Sequence, residues 1–427
     1  MLKSRSDISS APSSAEGLWA GAKDTRTEKG IKEGGRFPER FVAGLIVVGL
    51  VVAVALLAEG WAVRRERAAA VRMAVGASYQ RDLGVALARA AFRQPGILPL
   101  YGSSELEIDV PNRAPDFFSN APDGFRVCPL GRRGASPLLL LERVAGAGRA
   151  PAGGKAVVLI SQVWFLSRGA TLSTYAGNFS ALQAMELIFK APLSAELRRD
   201  IARRMLDYPE TLAGTPVLEQ GVRAAAHIDT PAGRIAYWLL LPLGRMETKV
   251  MEMQDHLESM REVGGAPSTP SPAPLPPAAP DWTRLIAAAD AQARPLTAGA
   301  ETLAAEPKRL AGVWRGIKAM PDCTEWQDLD LLVRTFRELH IEPLLLDIPW
   351  FAPYYDQCGV NAGIRDSYYA RLRSLAAKYQ VPVATYQDHE YDLNFLYDPH
   401  SHLSAKGWIF FNRDMDAFWR GLPVPDR

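Results

Sequence analysis

Cysteine is scarce in this chain: three residues in 427, Cys128, Cys323 and Cys358, with no C-x-x-C pair among them. That excludes a disulfide framework and a zinc site built on paired cysteines. At most one disulfide is available, and were one to form, Cys323 with Cys358, both in the C-terminal block, is the pair to choose; three free thiols is the favoured reading. A surplus of either charge is missing too. Lys+Arg 49 against Asp+Glu 47 leaves +2, and the 38 arginines and 11 lysines are scattered among acids. Such a balance leaves no broad footprint for wrapping DNA or RNA, so nucleic acid is not an expected partner. There is no H-E-x-x-H spacing, no internal repeat, and only one long apolar run, which excludes a multi-span membrane protein. With 48% hydrophobic and 22% charged residues the chain is neither disordered throughout nor collagen-like.

The single apolar run is FVAGLIVVGLVVAVALLA, Phe41 to Ala58, eighteen residues without a charge. At about 1.5 Å per residue it makes roughly 27 Å of helix, enough to span a bilayer. It is longer than a signal-peptide core and no small-x-small cleavage site follows, so it is expected to stay as an anchor. Residues 1–40, rich in Ser, Gly, Lys and Glu, read as a disordered tail. Six cations precede the span (Lys23, Arg26, Lys29, Lys32, Arg36, Arg40) and five follow (Arg64, Arg65, Arg67, Arg72, Arg81). The small excess favours a cytoplasmic N-terminus and an extracytoplasmic, periplasm-facing C-terminal part. Residues 59–91, dominated by Ala, Arg, Val and Leu, read as a juxtamembrane helical stalk.

Beyond the stalk, short apolar runs alternate with helix-like stretches, the βαβ pattern of an α/β domain with a parallel sheet. Expected strands are Ile97 to Tyr101, Phe125 to Leu130, Ala156 to Ser161, Glu342 to Asp347 and Val381 to Thr385. Expected helices include Ser194 to Leu206, and Asp328 to His340, where Leu329, Leu332, Phe336 and Leu339 share one face. Met246 to Val263 reads as a charged amphipathic helix, and Gly264 to Pro280 holds seven prolines, which excludes a ladder or helix and makes an extended spacer. The domain is therefore built from two halves, residues 92–245 and 321–427, around a helical and Pro-rich insertion at 246–320.

Two segments could carry chemistry. In Tyr101-Gly102-Ser103-Ser104-Glu105-Leu106 a serine follows a strand end, where open parallel sheets bind ligands. Ser104 fits a nucleophile, while the structural alternative is a serine cap with Glu105 favouring a helix dipole. In Tyr397-Asp398-Pro399-His400-Ser401-His402 the residues Asp398 and His402 supply the carboxylate and imidazole that activate a serine hydroxyl. His400 and His402 as metal ligands is the weaker alternative, since no cysteine lies nearby. His227, His256 and His340 read as structural or solvated, and His389 is ambiguous.

Taken together these segments resemble the SGNH (GDSL-like) hydrolase superfamily, and within it the DltD family of D-alanyl-lipoteichoic acid biosynthesis. The likeness rests on the single N-terminal span, YGSSEL at Tyr101 to Leu106, LGRRGAS at Leu130 to Ser136, ISQVWF at Ile160 to Phe165 and NFSALQ at Asn178 to Gln183. It continues through DHEYDLNFLYD at Asp388 to Asp398 and HLSAKGW at His402 to Trp408. The resemblance implies a three-layer α/β/α, flavodoxin-like domain, with Ser104 as nucleophile, His402 as general base and then acid, and Asp398 orienting His402. The oxyanion would be held by the backbone N–H groups of Ser104 and of Gly131 or Gly134, and Gln162 is a further candidate donor, there being no GxND sequence. No cofactor or metal is implied. The partners implied are an MBOAT-type membrane acyltransferase, an acyl-carrier protein, and an envelope polysaccharide or teichoic-acid-like polymer as acceptor. The activity implied is serine acyl transfer, D-alanyl by analogy; an esterase or thioesterase is the alternative. The D-x-x-x-H spacing here is one residue longer than the usual D-x-x-H, which motivates a third reading, a non-catalytic scaffold for an acyl-transfer complex.

Overall fold

The computed structural model describes residues 36–73, 85–119, 124–149, 153–265, 280–293, 296 and 322–426. Residues 1–35 of the expected tail 1–40, residues 74–84 of the stalk, and most of the proline-rich segment, 266–279, lie outside the described residues. By its internal contacts the chain divides into two units, residues Met1–Leu56 and Leu57–Arg427. In the first, the described residues are helical, part of a helix that runs from Arg36 to Met73. Its stretch Phe41–Ala69 is long and apolar enough to cross a membrane, and Phe41, Ile46, Leu50 and Leu57 all expose more than half of their surface. The helix starts inside the expected tail and continues well past the expected end of the span, because Ala-rich sequence with Arg and Glu propagates a helix as readily as the apolar run does.

In the second unit five parallel strands form one sheet in the order β2-β1-β3-β4-β5: β1 Ile97–Gly102, β2 Arg126–Gly131, β3 Gly154–Ile160, β4 Ile341–Asp347 and β5 Val383–Ala384. Every residue of β1 is buried, as are the last five of β2, β3 and β4. Side chains alternate between faces along a strand, so burial of consecutive residues means that helices cover both faces, the three-layer arrangement. One set of helices includes Pro137–Ala147, packed on Glu325–Glu338 and Ala181–Phe189, and another includes Ala405–Trp419, packed on Trp282–Gln292.

Four strands agree with the expected ones to within two residues. The fifth shrinks to Val383–Ala384 because Pro382 has no N–H to donate, although its carbonyl still accepts from Leu345 N–H at 3.0 Å. The expected helix Asp328 to His340 runs instead from Glu325 to Glu338, and His340 turns left-handed (φ 58°) to lead the chain into β4. The expected helix from Met246 begins earlier, at Pro231, and carries Pro242 inside it as part of Pro231–Gly265. The Cys323–Cys358 disulfide is not formed: all three cysteines are buried thiols outside any disulfide, and the Cys323 thiol donates to the Trp164 carbonyl at 3.7 Å.

The strand order reverses between β1 and β3, where a crevice opens beyond the carboxyl ends of the strands. β1 delivers the Ser103-Ser104 turn to that edge. The connection from β3 to β4 holds the bulk of the helices, Ala181–Phe189 through Glu325–Glu338; it leaves the sheet at the carboxyl end of β3 and re-enters at the opposite edge, where Ile341 pairs with Gly154.

Candidate active site

The strand ends that carry Ser104 come together only because two glycines face each other. Gly102 and Gly131 are register partners at the carboxyl ends of β1 and β2, and a Cβ on Gly131 would lie 2.1 Å from the Gly102 carbonyl oxygen. Past Gly102 the chain enters a single tight helical turn, Ser104–Leu106, closed by Leu106 N–H donating to Ser103 O at 3.2 Å and Glu107 N–H to Ser104 O at 3.0 Å. The Glu105 side chain does not project toward solvent. It folds beneath the turn, fully buried, and accepts the Ser103 N–H at 2.5 Å. Burial pushes its carboxyl up to about 7, against the lowering effect of the Ser103 and Glu105 amides and the nearby His402. Ser103 Oγ in turn accepts the Gly134 N–H at 3.1 Å, with Gly134 in the left-handed region at φ 81°.

The second segment is a loop pinched by an antiparallel bridge between Leu396 and Leu403, with Tyr397 N–H donating to His402 O at 2.7 Å. Inside it, Asp398 Oδ1 accepts the amides of His400 at 2.9 Å and Ser401 at 3.3 Å, an Asx-type turn that takes up the residue by which this motif exceeds the usual spacing. The other carboxylate oxygen is thereby left to meet His402 Nδ1. His402 Nε2 then stands 3.0 Å from Ser104 Oγ. Ser404 caps the following helix by accepting from Lys406 and Gly407 N–H. Gly407 is confined to glycine because a Cβ there would lie 2.4 Å from the Phe395 carbonyl.

The three groups sit in a partly open environment, the His402 and Asp398 side chains retaining 15% and 22% of their exposure. Burial would push the Asp398 carboxyl up. The His402 hydrogen bond and positive charge, with the His400 amide, outweigh it and hold Asp398 below the usual carboxylate range. A carboxylate kept ionised on Nδ1 fixes the imidazole with Nε2 toward the hydroxyl.

The expected oxyanion donors are placed differently. The Ser104 N–H opens the short helix, where the first amides have no partner within the helix. Gly131 ends β2 in register with Gly102. The Gly134 N–H is engaged by Ser103 Oγ. Gln162, fully buried after β3, has its Nε2 committed to the carbonyls of His400 at 2.5 Å and Pro349 at 3.4 Å, so it braces the histidine loop from below. His400 Nδ1 stands 3.8 Å from Asp398 Oδ1, and the ring lies edge-on to Tyr354. Its carbonyl also accepts from the Tyr355 hydroxyl at 3.1 Å. Among the described residues no group of three His, Cys, Asp or Glu side chains could hold a metal ion. His389 is structural, stacked on Phe395 and bonded to Asp392 at 3.2 Å. Glu105 and Ser103 are the participants that sequence reasoning passed over; a glutamate in the first turn of a helix signals a dipole interaction as readily as a brace.

A family model described as DltD protein matches residues 74–420. Protein DltD of Bacillus subtilis (strain 168) is 24% identical over 349 residues, covering 79% of this chain and 86% of the relative. Protein DltD of Staphylococcus aureus (strain NCTC 8325 / PS 47) is 23% identical over 338 residues, covering 77% of this chain and 82% of the relative.

Proposed function

The chain belongs to the DltD protein family, and on that premise we propose that it is a membrane-anchored serine acyltransferase of SGNH type. It moves an acyl group, D-alanyl by family analogy, onto a hydroxyl of a cell-envelope polymer. The observation that carries this reading is the 3.0 Å approach of His402 Nε2 to Ser104 Oγ with Asp398 on the far ring nitrogen. His402 takes the Ser104 proton as the oxygen attacks the acyl donor. The same imidazolium then protonates the leaving group as the tetrahedral intermediate collapses to an acyl-Ser104 ester. An acceptor hydroxyl next delivers its proton to His402 while attacking the ester, and transfer of that proton back to Ser104 Oγ restores the resting site. The Ser104 amide is suited to stabilise the developing oxyanion, a donor of a kind that contributes about 3 kcal/mol in such sites.

The donor arrives through partners: an acyl-carrier protein charged in the cytoplasm and an MBOAT-type membrane acyltransferase that passes the group across. The apolar helix anchors the chain with its N-terminus in the cytoplasm and the α/β unit outside, an orientation supported by the excess of cations ahead of the span. The scaffold alternative loses its motivation, since the Asx turn at Asp398 absorbs the longer spacing.

The test is activity-based labelling of the full chain in membranes with a fluorophosphonate, followed by transfer assays with labelled donor. Wild type is expected to take one label, lost in Ser104→Ala, and to leave the acyl group on polymer. Release of free acid alone would make the protein a hydrolase, and full transfer by Ser104→Ala would overturn the serine mechanism.

A further inference from the structure

The Pro231–Gly265 helix presents an apolar stripe to solvent. Ile235, Leu239, Leu243, Met246, Val250 and Leu257 recur at steps of four, three and seven and expose between 43% and 76% of their surface. A contiguous apolar patch of this length on an otherwise polar surface marks a contact with a partner or a membrane. The opposite face of the helix is spoken for, with Tyr237, Leu241, Thr248 and Glu252 buried.

Two further observations say what covers the stripe. The helix is paired with the segment by which the chain leaves the apolar span: Lys249 with Glu59, and His256 Nδ1 with Glu66 at 2.7 Å. The two pairs have the same sequence offset of 190, so the helices run side by side in the same direction. Lys249 and His256, the residues that meet this segment, lie downstream of Ile235 to Met246 on the helix.

Beside the stripe, between this helix and Ala195–Met205, is a cavity of about 680 Å³ lined by Arg198, Arg234, Arg245 and Trp238. Those three guanidiniums donate to the carbonyls of Ala191, Ile228 and Phe189, and among the described residues they make no ion pair. The carboxylates at the cavity are already matched, Glu196 by Arg334 and Asp229 by Arg199 and Arg203. The cavity thus carries uncompensated positive charge next to a 63% exposed tryptophan, the composition of a surface that meets anionic headgroups.

We propose that this face docks on an anionic lipid bilayer, the stripe against acyl chains and the arginine cavity against a headgroup phosphate. The proposal rests on the single-span anchor reading. Two copies joined through the same face would bring their arginine cavities together, which disfavours a second chain as the occupant.

The full chain carrying Leu239→Cys, labelled with bimane and reconstituted in phosphatidylglycerol-containing vesicles, tests it. A nitroxide on the lipid chains is expected to quench this label about threefold more than one at the exposed Asp366→Cys position, with iodide in the water showing the reverse order. Arg198→Gln with Arg245→Gln is expected to abolish any preference for phosphatidylglycerol over phosphatidylcholine vesicles, while fluorophosphonate labelling of Ser104 is retained as a check on folding. Equal iodide access at both positions, or self-quenching between labels on neighbouring copies, overturns the proposal. Carbonate extraction separates the two readings: a chain washed from membranes overturns the anchor and this proposal together, whereas a retained chain with a water-exposed Leu239 overturns this proposal alone.

Discussion

Ser104 Oγ and His402 Nε2 are 3.0 Å apart although 298 residues separate them along the chain. Neither group is held by its sequence neighbours alone. Ser104 is fixed by the closeness of β1 and β2 at Gly102 and Gly131, and His402 by a loop that Gln162, Tyr355 and the Leu396–Leu403 bridge hold from three sides. The site is a product of the completed sheet.

Replacing Asp398 by Asn exchanges one Nδ1 acceptor for a side chain that can equally present an N–H. The histidine then flips tautomer or loses its orientation, and the His400 and Ser401 amides keep only a neutral acceptor. Acyl transfer is expected to fall by about three to four orders of magnitude with the fold intact. Circular dichroism and transfer rates on the same preparation check this; a loss under tenfold would remove Asp398 from the mechanism.

Gln162→Ala leaves the buried His400 carbonyl with the Tyr355 hydroxyl and no amide beneath it. The expected cost is about 1–3 kcal/mol of stability. A drop in kcat larger than any change in substrate binding is also expected, because the loop that carries His402 loosens. Gln162→Glu is expected to be worse than Ala, since it sets a carboxylate against two carbonyl oxygens. Urea unfolding with steady-state kinetics reads both effects.

Gly131→Ala puts a methyl group 2.1 Å from the Gly102 carbonyl. The strands must part at the point where Ser104 is delivered, so loss of fluorophosphonate labelling is expected together with a fall in stability of about 1–3 kcal/mol. Gly124→Ala, with nothing within 4 Å of the added carbon but a φ of 83°, separates the effects: backbone strain alone is expected to leave labelling intact.

Glu105 and Glu142 are buried acids, raised by desolvation from 4.5 to about 7 and about 8 respectively. Their folded pKa lies above the unfolded value, so the folded state binds more protons between the two. Their contribution is fully present below about pH 4.5 and is lost as pH rises through 7 to 8, at about 1.4 kcal/mol per pKa unit for each group. Denaturant midpoints are expected to fall from pH 5 to pH 8.5. Glu142→Gln, which keeps a partner for the Tyr175 hydroxyl that donates to Glu142 at 2.5 Å, is expected to flatten that slope; an unchanged slope would mean these carboxyls stay ionised when buried.

Much of this was readable beforehand because the informative signals are local. Alternating apolar runs marked four strands closely, and the Ser104, Asp398 and His402 segments stood out by residue type. What escaped depends on contacts that no short window contains. The Gln162 amide looked free to serve an oxyanion until the fold placed His400 and Pro349 over it. Glu105 read as a helix-dipole partner until the turn closed on it. The longer Asp-to-His step looked like a defect because spacing rules take no account of a carboxylate curling its own backbone. Cys323 and Cys358 shared a block of sequence yet remain separate buried thiols.

The helices between β3 and β4 have a consequence for how this protein could diversify. Ser104 lies ahead of that excursion, and Asp398 and His402 lie after it. Within the excursion, Gln162 touches the histidine loop close to the exit from β3, while Pro231–Gly265 lies far downstream of it. The proposed reaction and the proposed docking face thus fall on separate stretches of one polypeptide. Changes to Pro231–Gly265 would alter its exposed apolar stripe without replacing any residue that bonds Ser104, Asp398 or His402.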